Sequence, residues 1–146
     1  MGRKIVFFDI DGTLYNHDIG VPRSAVKAIE KLLENNHIPV ISTGRSRAII
    51  PRQLIDIGFK GIIAAAGADV SFEDKEIVQI VDNKETAREI IGLLNEGNID
   101  FVLEGPNYVY YDANKDLNID PHIRSVVETI GIDKFKSFDE DEVVYN

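Results

Sequence analysis

"KIVFFDIDGTLYN", residues 4–16, runs an apolar, β-rich segment into two carboxylates, Asp9 and Asp11, and then into Gly12-Thr13. A continuous apolar run such as Ile5 to Phe8 is what a strand covered on both faces of a parallel sheet requires. Ligands of open α/β sheets bind at the carboxyl ends of the strands. Asp9 stands at such an end, and Asp11 lies one step into the loop that follows. Two like charges this close repel unless a cation holds them, and hard carboxylate oxygens suit Mg2+. Gly12 lets the backbone turn sharply, and Thr13 adds a hydroxyl at the same point. A metal there would also offset the repulsion between the carboxylates and an incoming phosphate. A carboxylate beside a bound phosphate can then act as a nucleophile.

Moving outward, short apolar runs alternate with helical periodicities. "VPRSAVKAIEKLLENN" places Val26, Ile29, Leu32 and Leu33 on one helical face, with Asn35-Asn36 as a stop. "HIPVIS" (37–42) predicts a second strand, with Pro39 tolerable near its start. "TGRSRAIIPRQLIDIG" predicts a turn and then a helix, with Ser46 as N-cap, an irregular start at Pro51 and an end at Gly58. "GIIAAAG" (61–67) predicts a third strand, and the alternation implies an open α/β sheet. The second strand also ends in polar groups. Ser42 and Thr43 offer hydroxyls, Gly44 admits close backbone approach, Arg45 carries a charge, and a helix N-terminus favours an anion.

Residues 69–81 predict a hairpin turning at Glu73-Asp74-Lys75. Residues 82–97 predict a helix with Ala87, Ile90, Ile91 and Leu94 inward, and "IDFVLEGPNYVYYD" predicts a hairpin at Gly105-Pro106-Asn107. "DPHIRSVVETIG" predicts a helix capped by Asp120, begun by Pro121, apolar at 123, 126, 127 and 130, and stopped by Gly131. This is the texture of a separate α+β module.

Composition bounds the reading. At 146 residues the chain suits one ordinary domain or two small ones, and 44% apolar with 28% charged residues describes a globular protein. No cysteine is present, so disulfides and thiolate metal sites are excluded. His17, His37 and His122 lack ligand spacing. The apolar run 5–8 is too short for a signal peptide, and no stretch approaches the ~20 apolar residues of a membrane span. Neither a membrane nor nucleic acid is an expected partner, and a cytoplasmic location is expected. Residues 1–80 hold 10 Lys+Arg and 10 Asp+Glu, whereas residues 81–146 hold 6 and 15 and carry the whole net charge of −9. That shift predicts a boundary near residue 81, and an acidic surface repels a phosphate backbone.

"FFDIDGTL" and "ISTGR" resemble the first two motifs of the haloacid dehalogenase (HAD) superfamily of phosphohydrolases. The stretch through "GIIAAAGADV" is similar to its Cof-like branch, over residues 4 to about 112. The resemblance implies an α/β fold: a Rossmann-like parallel-sheet core, here residues 1–80, with an α+β cap inserted after the third strand, here begun by residues 81–146. It implies a Mg2+-dependent phosphatase of a small phosphorylated metabolite, such as a sugar phosphate, working through an aspartyl-phosphate. Asp9 would be the nucleophile and a Mg2+ ligand, and Asp11 the general acid/base that also gives Mg2+ its backbone carbonyl. Thr43 would bind phosphate, with Gly12, Thr13, Ser42, Gly44 and Arg45 lining the substrate site. Family members commonly carry Asn-Gly-Ala after the third strand, where this chain has Ala66-Gly67-Ala68.

The family also uses a later lysine and an acidic Gly-Asp loop. Lys84 opens the first cap helix and comes too early for the lysine. "FDEDEVV" (138–144) has acids but no Gly-Asp turn and reads as a solvated run with no buried strand before it. The expectation is an N-terminal part of a longer enzyme, or a catalytically incomplete or non-enzymatic phosphate-binding relative. A receiver module phosphorylated on aspartate needs an Asp after the third strand, where "AAAGA" stands. A glycosyltransferase Asp-x-Asp leaves Gly12-Thr13 and Ser42-Thr43 unexplained. Residues 4–9 are expected to form an exposed sheet edge, which the chain covers by self-association or which leaves it unstable and prone to aggregate.

Overall fold

A computed structural model describes residues 2–16, 18–112, 114 and 121–137, the side chain of residue 122 excepted. Asp120 as a helix cap, the acidic run 138–144, His17 and the His122 side chain lie outside the described residues. The strands β1 (Ile5–Phe8), β2 (Ile38–Ser42), β3 (Gly61–Ala64), β4 (Asp69–Phe72) and β5 (Lys75–Gln79) form one sheet in the order β1-β2-β3-β4-β5. The first three are parallel, and β4 and β5 extend the sheet as an antiparallel hairpin. The expected parallel core is therefore a mixed sheet. Its hairpin turns on Glu73 and Asp74, both at positive φ (48° and 62°), as a two-residue turn of the right hand for a hairpin demands.

Helix α1 (Arg23–Glu34) packs Ile29, Leu32 and Leu33 into a core with Ile10, Leu14, Ile41, Ile50, Leu54 and Ala64. Ala25, rather than Val26, completes that face. The helix stops where Asn36 takes φ 59°, a left-handed position that asparagine tolerates. Among the described residues β1 has a neighbour on one side only, so the expected exposed edge is present, and Ile5 and Phe7 are more than half exposed, so this strand is not covered on both faces as its apolar run implies.

The single helix expected after β2 is broken. A 3-10 turn (Arg47–Ile49) comes first, Pro51 interrupts, and α2 (Arg52–Ile55) is one turn long. Ser46 is extended before the 3-10 turn but makes no side-chain cap bond, so its predicted capping role is corrected. The third strand is also shorter than expected: residues 65–67 leave β3 as a tight turn with Ala65 and Ala66 at φ 48° and 52°.

Helix α3 (Lys84–Glu96) is capped by the Asn83 side chain, which accepts from the Thr86 amide, and buries no residue. A second sheet follows, of β6 (Leu103–Glu104), β7 (Val109–Tyr111) and β8 (Phe135–Ser137), with α4 (Pro121–Ile130) between β7 and β8. β8 was not predicted. It runs parallel to β7 with Phe135 buried, which corrects the reading that no buried strand precedes residue 138. Ile123, Val126, Val127 and Ile130 of α4 face a second apolar cluster, as their spacing predicts. That cluster also takes in Ala48 and Ile49 from the turn after β2.

Candidate active site

The Asp-Ile-Asp segment owes its shape to its middle residue. Ile10 has no exposed surface and sits in the core, so the residues on either side, Asp9 and Asp11, are turned outward and both are exposed. The carbonyl of Ile10 accepts the amides of Thr13, Leu14 and Tyr15 at 3.2, 2.9 and 2.9 Å, and the Gly12 amide donates to the Tyr15 carbonyl at 3.1 Å. Leu14 is buried behind this turn. Gly12 adopts φ 72°, where a side chain is strained. The loop is held by backbone bonds and two buried side chains, and the carboxylates need contribute nothing to its fold.

Phe8 is in register with Ile41, so the ends of β1 and β2 lie level, and the groups that follow them face one another. Thr43 is buried and continues the ladder by donating its amide to the Ile63 carbonyl at 2.9 Å. Its hydroxyl oxygen accepts the Arg45 amide at 3.2 Å. The Arg45 guanidinium then reaches across the gap. Its Nε and Nη2 donate to the two oxygens of Asp11 at 3.0 and 2.7 Å, and its Nη1 donates to the Ile49 carbonyl at 3.1 Å. The same group lies 5.5 Å from the centre of the Tyr15 ring. The bond to Asp11 is the main reason that the Arg45 pKa is raised above its ordinary value, against desolvation that lowers it.

Of the residues singled out in the sequence, Asp11, Thr43 and Arg45 are joined by hydrogen bonds. Asp9, Thr13 and Gly44 are exposed around them and Ser42 is half-buried at the strand end. The turn after β3 closes against this loop: Ala65 donates to the Arg45 carbonyl at 2.7 Å and Ala66 to the Thr43 carbonyl at 3.2 Å. Three side chains were missed. Tyr15 lies beside Arg45, and Glu104 is close enough to help raise the Arg45 pKa. Arg47 grips the buried Asp69 with two donors and also donates to Ser71 at 3.0 Å. A cavity of about 230 Å³ lies beside these groups, lined by Ser46, Arg47, Asp69, Ile80 and Glu104 among others. The Ser46 hydroxyl is buried without a hydrogen-bond partner.

Among the described residues no group of three or more His, Asp or Glu side chains could hold a metal. Mg2+ nevertheless requires only one or two protein carboxylates, with water and phosphate oxygens completing its shell. The exposed Asp9 carboxylate, with oxygen donors of Asp11 beside it, fits that donor set. Among the described residues no helix is long and apolar enough to cross a membrane. His37 accepts the Lys4 amide at 3.3 Å, at the opposite end of β2 from this site.

A profile of haloacid dehalogenase-like hydrolases matches residues 6–146. "Putative phosphatase YkrA" of Bacillus subtilis (strain 168) is 33% identical over 97 residues, which make up 66% of this chain and 38% of that protein. The crystal structure of a hypothetical protein from Geobacillus kaustophilus HTA426 has a TM-score of 0.70 at 26% identity, over 88% of this chain and 49% of that one. A sugar phosphatase of HAD subclass IIB has a TM-score of 0.65 at 21% identity, over 95% of this chain and 54% of that one. The chain thus spans about half, or less, of the length of these relatives.

Proposed function

The chain belongs to the haloacid dehalogenase-like hydrolase family, and from that premise we propose that it carries the nucleophile half of a cytoplasmic, Mg2+-dependent phosphomonoesterase site. The observation that carries this reading is the pair of outward carboxylates on either side of buried Ile10, with Asp11 tied through Arg45 to Thr43. The substrate is a small phosphorylated metabolite, with a sugar phosphate as the leading class. One relative of similar fold is a sugar phosphatase.

In the proposed reaction a carboxylate oxygen of Asp9 attacks phosphorus and the bond to the leaving alkoxide oxygen breaks. Asp11 gives that oxygen its proton. Asp11 then takes a proton from the water that attacks the aspartyl-phosphate, which returns Asp9 and releases inorganic phosphate. Thr43, Gly44 and the Arg45 guanidinium bind and orient the phosphate, an anion for which the Arg fork is well shaped. Mg2+ held by Asp9 and Asp11 would supply charge neutralisation between the carboxylates and the phosphate.

A second reading, a phosphate-binding relative with little turnover, is favoured by the two-carboxylate donor set and by Arg45 already bonded to Asp11. For this 146-residue chain turnover is expected to be low. The test is formation of a hydroxylamine-labile phosphoryl adduct from a small acyl phosphate with Mg2+, located by mass spectrometry, together with phosphate release from a panel of sugar phosphates. The adduct is expected on Asp9 and is lost in Asp9→Asn. Phosphate release that survives Asp9→Asn would overturn the nucleophile assignment, and phosphate binding with no adduct would favour the second reading.

A further inference from the structure

We propose that the cavity beside Arg45 receives the leaving group of the substrate, and that Ser46 and Glu104 select there a neutral or cationic polyol, such as a sugar ring, over one that carries a second anionic group. The inference rests on the phosphatase reading of the neighbouring carboxylates and names the substrate class that the site accepts.

Four observations carry it. The first is position. Ser46 and Ala65 line the cavity, one following Arg45 directly and the other donating its amide to the Arg45 carbonyl at 2.7 Å. The Arg45 pKa is raised mainly by the bond to Asp11 and in smaller part by Glu104, which places that lining carboxylate nearby. A phosphate held by Arg45 can therefore extend its ester group into this space.

The second is the Ser46 hydroxyl, which is buried in the cavity wall without a hydrogen-bond partner. A buried polar group left unpaired is costly and calls for a partner that the folded chain does not itself provide. A ligand hydroxyl both donates and accepts, so it suits the serine in either rotation of its O–H.

The third is charge. Arg47 spends its donors on Asp69 and Ser71, so the charges of Arg47 and Asp69 offset each other. The other charged groups of the lining are Asp82 and Glu104, both exposed and, among the described residues, in no ion pair. A second phosphate or a carboxylate on the leaving group meets two like charges there, whereas hydroxyls and an ammonium find acceptors. The fourth is the apolar part of the lining, Ile80, Ile90, Leu103 and Pro106, of which Ile80 is 70% and Ile90 39% exposed. Apolar walls with a few placed polar groups are what ligand pockets are made of, and the C–H faces and O–H edges of a sugar ring match both.

The experiment titrates inorganic phosphate, glucose 6-phosphate, glucosamine 6-phosphate and glucose 1,6-bisphosphate into the chain with Mg2+ present, and follows backbone amides by NMR. The Thr43, Gly44 and Arg45 amides report the phosphate, and the Ser46 and Glu104 amides report the cavity. Inorganic phosphate is expected to shift the first set, and glucose 6-phosphate both. Glucosamine 6-phosphate is expected to bind about threefold more tightly than glucose 6-phosphate, and the bisphosphate about tenfold more weakly. Glu104→Gln, at an exposed position, should narrow both gaps, and Glu104→Lys should reverse the order. Ser46→Ala should weaken glucose 6-phosphate about fivefold relative to inorganic phosphate, yet raise the urea midpoint of the free chain, because an unpaired hydroxyl is gone.

Glucose 6-phosphate that shifts Thr43, Gly44 and Arg45 but neither Ser46 nor Glu104, at the affinity of inorganic phosphate, overturns the leaving-group site and leaves the phosphatase reading standing. An unchanged order of the three sugar phosphates in Glu104→Lys overturns the charge selection. Unchanged glucose 6-phosphate affinity in Ser46→Ala overturns the part given to the serine. No shift of Thr43, Gly44 or Arg45 with any of the four compounds removes the phosphate site, and both readings fall together.

Discussion

Arg45 and Arg47 are two residues apart on one turn, and each grips an aspartate with two donors, yet the two pairs are built for different ends. Asp11 is 48% exposed, and the loop that carries it is folded by other means. Asp69 is 8% exposed and Arg47 26%, and Arg47 adds a bond to Ser71, so this pair joins the turn after β2 to strand β4. The turn in question also lends Ala48 and Ile49 to the second apolar cluster. Both arginines are raised above their ordinary pKa mainly by the aspartate bond. Identical chemistry therefore says little about role. Burial of the carboxylate, and what else holds its loop, separates a pair that braces the fold from one that can be opened by a ligand.

The largest expected effect belongs to the residue that frees Asp11 from structural duty. Ile10→Ala removes a side chain with no exposed surface from the middle of the core. It should cost about 3–4 kcal/mol, within the usual range for such truncations. The check is the urea midpoint at constant slope. A cost below about 1 kcal/mol would mean that the loop is held in some other way, and that the Arg45–Asp11 pair matters more to the fold than its exposure implies.

The next test sets the two pairs directly against each other. Asp69→Asn leaves Arg47 charged and three-quarters buried with no carboxylate, and should cost about 3 kcal/mol. Asp11→Asn also leaves a largely buried arginine charged, since Arg45 is 15% exposed, but water reaches it through the half-exposed Asp11 site, so the cost should be smaller, about 1–2 kcal/mol. Denaturation of the two single variants and of the double variant measures both, and any non-additivity reports coupling through the turn that the two arginines share. Equal costs would erase the distinction drawn between them.

Much of this arrangement was legible in the sequence because it is local. The strand before Asp9, the hairpin turn at Glu73-Asp74, the inward face of α4 and the stop at Gly131 all follow from periodicity and turn chemistry over a few residues. The contacts that separate the two pairs are not local. Arg45 reaches back 34 residues to Asp11, and Arg47 forward 22 to Asp69, and spacing carries no signal for such contacts. β8 escaped because Phe135-Lys136-Ser137 has one apolar residue and no alternation, and exists only because β7 is there to pair with it. The helix after β2 was overread because its apolar spacing was counted across Pro51, which cannot donate the bond that would join the two pieces. Thr43 and Arg45 stood out as polar groups at a strand end, but their bonds to each other and to Asp11 left no mark in the sequence.

The smallest expected effect lies in the turn that closes against Thr43 and Arg45. Ala65 and Ala66 sit at φ 48° and 52°, a region in which an L-residue with a Cβ is strained by about 1–2 kcal/mol. The turn is kept there by the amide bonds from Ala65 to the Arg45 carbonyl and from Ala66 to the Thr43 carbonyl. Ala66 is exposed, so a replacement loses little packing. Asparagine tolerates this backbone region better than alanine. Ala66→Asn should therefore stabilise the chain by about 0.5–1 kcal/mol. Glycine at the same place relieves the backbone but adds freedom to the unfolded chain, so Ala66→Gly should gain less. Urea midpoints of the two variants separate these contributions. If asparagine stabilises no more than glycine, only the backbone is at issue. If both destabilise, the alanine is not strained, and the turn against Thr43 and Arg45 rests on something other than its two amide bonds.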